Sequence, residues 1–164
     1  MLIQEYFKMA DKIKEKYAEL GKKYSLPKFG ELDSAFEISG IEDGKVFLLR
    51  KAIGKIAEKV DYYSGLLEHF MQPDPSSLSG MHELKFFSEE EKLKVYSVFK
   101  RLIKLNRSAI EADLSQDERK EAEYISLSLD EWKKLREELI PIVKKIRESW
   151  DKDSEMEEKL GYFG

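Results

Sequence analysis

Apolar residues recur along this chain at three- and four-residue steps, the spacing that lines one side of an α-helix. Ile3, Tyr6, Ala10, Ile13, Tyr17 and Leu20 hold it from about Leu2 to Tyr24, predicting a first helix. Gly21 and the Ser25-Leu26-Pro27 stretch weaken and end that helix. Residues 25–44 read as a connector holding a short helix from Glu31 to Ile38, with Phe29, Leu32, Phe36 and Ile38 facing the core. Val46, Leu49, Ile53, Ile56, Val60, Tyr63, Leu67 and Phe70 then predict a second long helix from about Lys45 to Met71.

The run from Gln72 to Gly80, with Pro73 and Pro75, stops that helix and opens a connection reaching about Phe87. Three Ser-x-x-Glu pairs follow, each a capping-box signature in which a serine hydroxyl and a glutamate satisfy exposed backbone N–H groups at a helix start. Ser88 with Glu91 opens a third long helix to about Asp113, and Ser115 with Glu118 opens a short one to about Leu127. Ser128 with Glu131 opens a fourth, whose inward row is Trp132, Leu135, Leu139, Val143, Ile146 and Trp150. Pro141 lies inside that row and predicts a kink near Glu137–Pro141.

Alternating apolar and polar runs are missing, as is threonine, so strands are not expected. The fold expected is all-α: an up-and-down bundle of four long helices with one or two short connecting helices, one domain over 1–150 and a polar tail over 151–164.

Composition narrows the chemistry. The chain has no cysteine, which excludes disulfides, thiol nucleophiles and cysteine-ligated zinc. Charged residues make up 38% of it, Lys and Glu dominate, and amides are scarce, the pattern of proteins from thermophilic microbes. No apolar run approaches the roughly 20 residues of a membrane span, so a cytoplasmic protein without a membrane partner is expected. The net charge of −4 argues against wholesale nucleic-acid binding.

Local charge is another matter. Between Lys92 and Ile110 there are cations and no acid, and Lys100, Arg101, Lys104 and Arg107 share one arc of the third helix. Such an arc can hold phosphates of RNA or DNA by Coulomb attraction, or pair with the acid-rich 117–123 segment. On the second helix, Leu48, Tyr62 and Leu66 project away from the main seam, which marks burial against a further helix or a subunit contact.

Other groups bear on catalysis. His82-Glu83-Leu84-Lys85 has the His-x-x-Lys spacing of phosphotransfer helical bundles, but Phe86 stands where those bundles carry a glycine. Neither His69 nor His82 has a glutamate three residues before it, as a carboxylate-bridged di-iron bundle requires. Glu58 with Asp61, and Glu118 with Glu121, are carboxylate pairs expected on solvated faces. Asn106, the lone asparagine, projects toward the apolar side of its helix and is expected to fix register. No catalytic, cofactor or metal set is read from the sequence. The expected function is a non-enzymatic interaction or assembly module, with a protein partner or a second copy in a homodimer, anchored by Leu48, Tyr62 and Leu66. The alternative is a small accessory protein holding RNA or DNA through the third helix.

Overall fold

A computed structural model describes residues 2–42, 46–72 and 74–152, with backbone alone for 2–9. Among the described residues the chain is helical and has no strand. The elements are α1 (Leu2–Tyr24), α2 (Phe29–Phe36), a 3-10 turn (Ile38–Gly40), α3 (Leu48–Met71), α4 (Leu78–Leu84), α5 (Glu89–Ser115) and α6 (Glu118–Ser149). They contribute to two compact units: unit one from Met1–Asp61 and Ile103–Lys134, unit two from Tyr62–Leu102 and Leu135–Gly164.

Unit one buries Ile13, Tyr17, Leu32, Phe36, Leu49, Ile56, Ile125 and Trp132. In this unit α1 packs on α2 and on the 3-10 turn. The Tyr17 hydroxyl donates to the Pro27 carbonyl at 2.7 Å, and burial pushes that phenol up to about 12. Left-handed residues make the corners: Ser25 (φ 54°) after α1, Glu37 (φ 57°) after α2, Phe47 (φ 55°) before α3 and Gln116 (φ 50°) between α5 and α6. None is a glycine, so each corner stores roughly 1–3 kcal/mol that its surroundings must offset. At Glu37 the offset is visible, since its N–H reaches the Asp33 carbonyl at 2.7 Å and the Asp33 carboxylate accepts from the Ser39 N–H at 2.7 Å.

Unit two buries Leu67, Phe70, Phe87, Val95, Val98, Leu102, Leu135 and Leu139. Glu91 pairs with Lys145 and Arg101 with Glu138, so within this unit α5 and α6 run antiparallel. The Ser88–Glu91 box forms as expected: the Ser88 N–H donates to the Glu91 carboxylate at 2.8 Å, and the Glu91 N–H to the Ser88 hydroxyl at 3.2 Å. Lys145 and the Ser88 N–H together pull the Glu91 carboxyl down to about 2.

The other two boxes do not form. At the start of α6, Asp117 is the cap, accepting the Arg119 N–H at 2.9 Å. Glu118 turns away to accept the Tyr24 hydroxyl at 2.6 Å and the Lys23 ammonium at 3.2 Å, which hold its carboxyl below the usual range. Ser128 opens nothing. It is fully buried, its hydroxyl donates to the Ile125 carbonyl at 2.9 Å, and α6 runs unbroken from Glu118 to Ser149. A serine can bond back to its own helix as readily as it can cap the next one. The two helices expected over 115–150 are therefore one, and it continues through Pro141. Pro141 has no N–H to give the Glu137 carbonyl one turn earlier, and Glu137 is an exposed residue, which keeps the cost of that missing bond low.

Three further expectations are corrected. The connection over 72–87 contains α4, capped by the Ser77 hydroxyl on the Gly80 N–H at 3.3 Å. Glu121 is not solvated, because the Arg50 guanidinium reaches it at 3.2 Å and offsets the cost of burying its charge. Val46, Val143 and Trp150, expected inward, are all exposed, as are Tyr96 and Ile110 on α5. The polar tail expected from 151 lies outside the described residues from 153 onward.

Candidate interaction surface

The proposed anchors on α3 separate. Leu48 belongs to the core of unit one with 3% of its surface exposed, because it sits at the first turn of α3, where the second apolar strip is covered within the chain. Leu48 is thereby removed as an interface anchor. Tyr62 is 70% exposed, its ring edge-on to Tyr63 at 5.1 Å. Leu66 is half-buried.

The cations of α5 fare differently from one another. Lys100 and Lys104 are exposed. Arg101 pairs with Glu138 rather than with the 117–123 segment, and Arg107 donates to the Asn106 side-chain carbonyl at 2.7 Å. Asn106 is buried as expected, and its oxygen is satisfied by its own neighbour.

What sequence reasoning missed lies in unit two, where α4 meets the end of α6. His82 is 4% exposed, and its Nε2 lies 2.9 Å from the Ser149 carbonyl. A carbonyl only accepts, so Nε2 carries the proton and donates. The imidazole stacks on the Trp150 indole at 4.3 Å and 28°, with Phe86 tilted on its other neighbouring position at 5.1 Å. The indole N–H donates to the Glu83 carboxylate at 2.9 Å. Trp150 is thus held by a ring contact and a hydrogen bond while 52% of it faces solvent. His82 is buried and engaged, an arrangement unlike that of a phosphoryl acceptor, which must present a free ring nitrogen.

A stripe on α6 leads to Trp150, the residue that follows its last turn. Arg136, Ile140, Val143, Arg147 and Trp150 are spaced by steps of four, three, four and three, which keeps them on one flank. Ile140 is 53% and Val143 37% exposed. Arg136 makes no ion pair with a described residue, and the Glu148 carboxylate lies 3.7 Å from Arg147. The flank that holds unit two together is a different one: Glu138 and Lys145 point to α5. An inward row written at helical spacing could not separate the two flanks, since Val143 and Trp150 fit either.

Elsewhere among the described residues, buried polar groups are taken up by separate partners. Tyr124 donates to the Leu105 carbonyl at 3.2 Å, and Glu121 is taken up by Arg50. A depression of about 320 Å³ in unit one is lined by Gly40, Ile41, Glu42, Lys51, Gly54, Lys55 and Glu58. Lys51 there donates to the Glu42 carbonyl at 3.4 Å, and Lys55 pairs with Glu58 at 3.3 Å. No group of three or more metal-ligating side chains occurs among the described residues, and no described helix is long and apolar enough to cross a membrane. Comparisons with protein families, with curated proteins and with solved structures found no match.

Proposed function

We propose that this chain is a non-enzymatic interaction module, which engages another polypeptide through apolar surface of unit two. One observation carries the reading: of the thirteen large apolar residues exposed among the described residues, Tyr62, Leu78, Met81, Leu93, Tyr96, Ile140, Val143 and Trp150 all belong to unit two. Scattered exposed apolar residues are ordinary, but a concentration that includes two tyrosines and a fixed tryptophan matches the composition of binding hot spots. The alternation of long helices up and down, expected from the sequence, is part of the same proposal.

In the form where the partner is a second copy, Tyr62 and Leu66 are the anchors. Light scattering coupled to size exclusion then reads a mass that rises toward two chains with concentration and falls back in the Tyr62→Glu, Leu66→Glu variant. A strict monomer at high concentration, unchanged by those substitutions, ends the self-association form. The nucleic-acid reading has less support, because Arg101 pairs with Glu138 and Arg107 donates to Asn106, which leaves Lys100 and Lys104 as the exposed cations of the arc without such a contact among the described residues.

A further inference from the structure

The geometry of α6 points to its partner: we infer that the Arg136–Ile140–Val143–Arg147–Trp150 flank docks an acidic amphipathic helix of another protein. The inference rests on the reading of unit two as an interaction surface and adds the place and the chemistry of the occupant.

Length is the first argument. Fourteen residues separate Arg136 from Trp150, about 21 Å or four helical turns. The four-three-four-three spacing is that of a coiled-coil seam, which meets a second helix side by side. Order is the second. An exposed tryptophan normally loses rotamer freedom on binding. Trp150 is already placed by His82 beneath one ring face and Glu83 on its N–H, so its open face is a preformed anchor.

Charge selects the partner. Guanidinium groups stand at two of the five positions, bracketing Ile140 and Val143, and no carboxylate occupies the stripe. Arg136 and Arg147 are eleven residues apart, about 16 Å along the axis. The fitting helix carries carboxylates at that same separation, with aliphatic residues between them on one face. A basic helix would set like charge against both guanidinium groups, and a neutral one would leave Arg136 without a carboxylate and Arg147 with its own Glu148 at 3.7 Å alone.

The test uses the full chain and two labelled synthetic helical peptides of about 21 residues, with leucine along one face and either glutamate or lysine beside it. Fluorescence anisotropy at low salt should show the glutamate peptide binding at least tenfold tighter than the lysine peptide. Arg136→Glu with Arg147→Glu should reverse that order, and Ile140→Glu or Trp150→Ala should weaken both peptides. These residues are exposed, and circular dichroism checks that each variant keeps its helix content.

Equal binding of the two peptides, or a preference that survives the double arginine reversal, overturns the acidic partner while leaving the apolar surface intact. Absence of binding by either peptide, or binding indifferent to Ile140→Glu and Trp150→Ala, overturns the docking site and the apolar reading of this flank together. A dimer that excludes the peptide and dissociates on Ile140→Glu makes a second copy the occupant and overturns the inference. So does binding that appears only after truncation following Lys152, which makes the chain's own 153–164 segment the occupant.

Discussion

Replacing His82 tests whether its contacts with Ser149 and Trp150 clasp α4 to the end of α6. The imidazole makes two kinds of contact, and each can be removed separately. Its Nε2–H reaches the Ser149 carbonyl at 2.9 Å, but that carbonyl also accepts the Lys152 N–H at 3.3 Å. Losing the imidazole bond therefore does not orphan the oxygen, and the cost is the ordinary net value of about 1 kcal/mol rather than the larger penalty of an unsatisfied buried acceptor. The stack on Trp150 at 4.3 Å adds roughly 0.5–1.5 kcal/mol. Emptying a site that is only 4% exposed adds a cavity term on top, so His82→Ala should cost about 2–4 kcal/mol.

His82→Gln retains a donor near the Nε2 position and loses the ring, so it should cost about half as much. Urea unfolding followed by far-ultraviolet circular dichroism measures each value, at one pH throughout. A double-mutant cycle with Trp150→Ala isolates the stack: the cost of His82→Ala should shrink by about 0.5–1.5 kcal/mol once the indole is gone. In a Trp132→Phe background, where Trp150 is the sole tryptophan, His82→Ala should also add a fast component to the anisotropy decay. A loss below about 1 kcal/mol for His82→Ala, or a coupling of zero with Trp150, would refute the clasp.

Two further outcomes follow from single contacts. Glu91, whose carboxyl Lys145 and the Ser88 N–H lower from 4.5 to about 2, adds stability that is present above the unfolded value and disappears as pH falls through the folded one. The wild-type urea midpoint should accordingly drop between about pH 4.5 and 2 by more than that of Glu91→Gln, and parallel curves would contradict the Glu91 contacts. Tyr124, whose hydroxyl donates to the Leu105 carbonyl and is raised by burial, should lose about 1 kcal/mol as Tyr124→Phe with its helix content unchanged. A variant as stable as the parent would show that water replaces the bond.

The Ser88–Glu91 box shows what sequence can determine unaided. Both partners lie within one turn, so local geometry decides the bond and the start of α5 follows. The same holds for α1, for the bulk of α3 and for the burial of Asn106, where dense apolar spacing leaves one face to hide. Ser115 and Ser128 carry the same signature and do otherwise, because each hydroxyl finds a carbonyl of its own helix, and Glu118 is drawn to Tyr24 and Lys23. That choice depends on residues far along the chain, which no local pattern contains.

The candidate surface divides in the same way. Tyr62 is legible as an outlier from the α3 seam, and it is exposed. Leu48 has the same signature and is buried, since helical spacing gives an angle on a cylinder but not what lies opposite that angle. His82 and Trp150 lie far apart in sequence and meet only because α4 packs against the end of α6, so neither could be recognised as half of a clasp. Periodicity determined which residues are helical. Packing decided which flank of each helix stays exposed, because a neighbouring helix covers an arc, not a residue type.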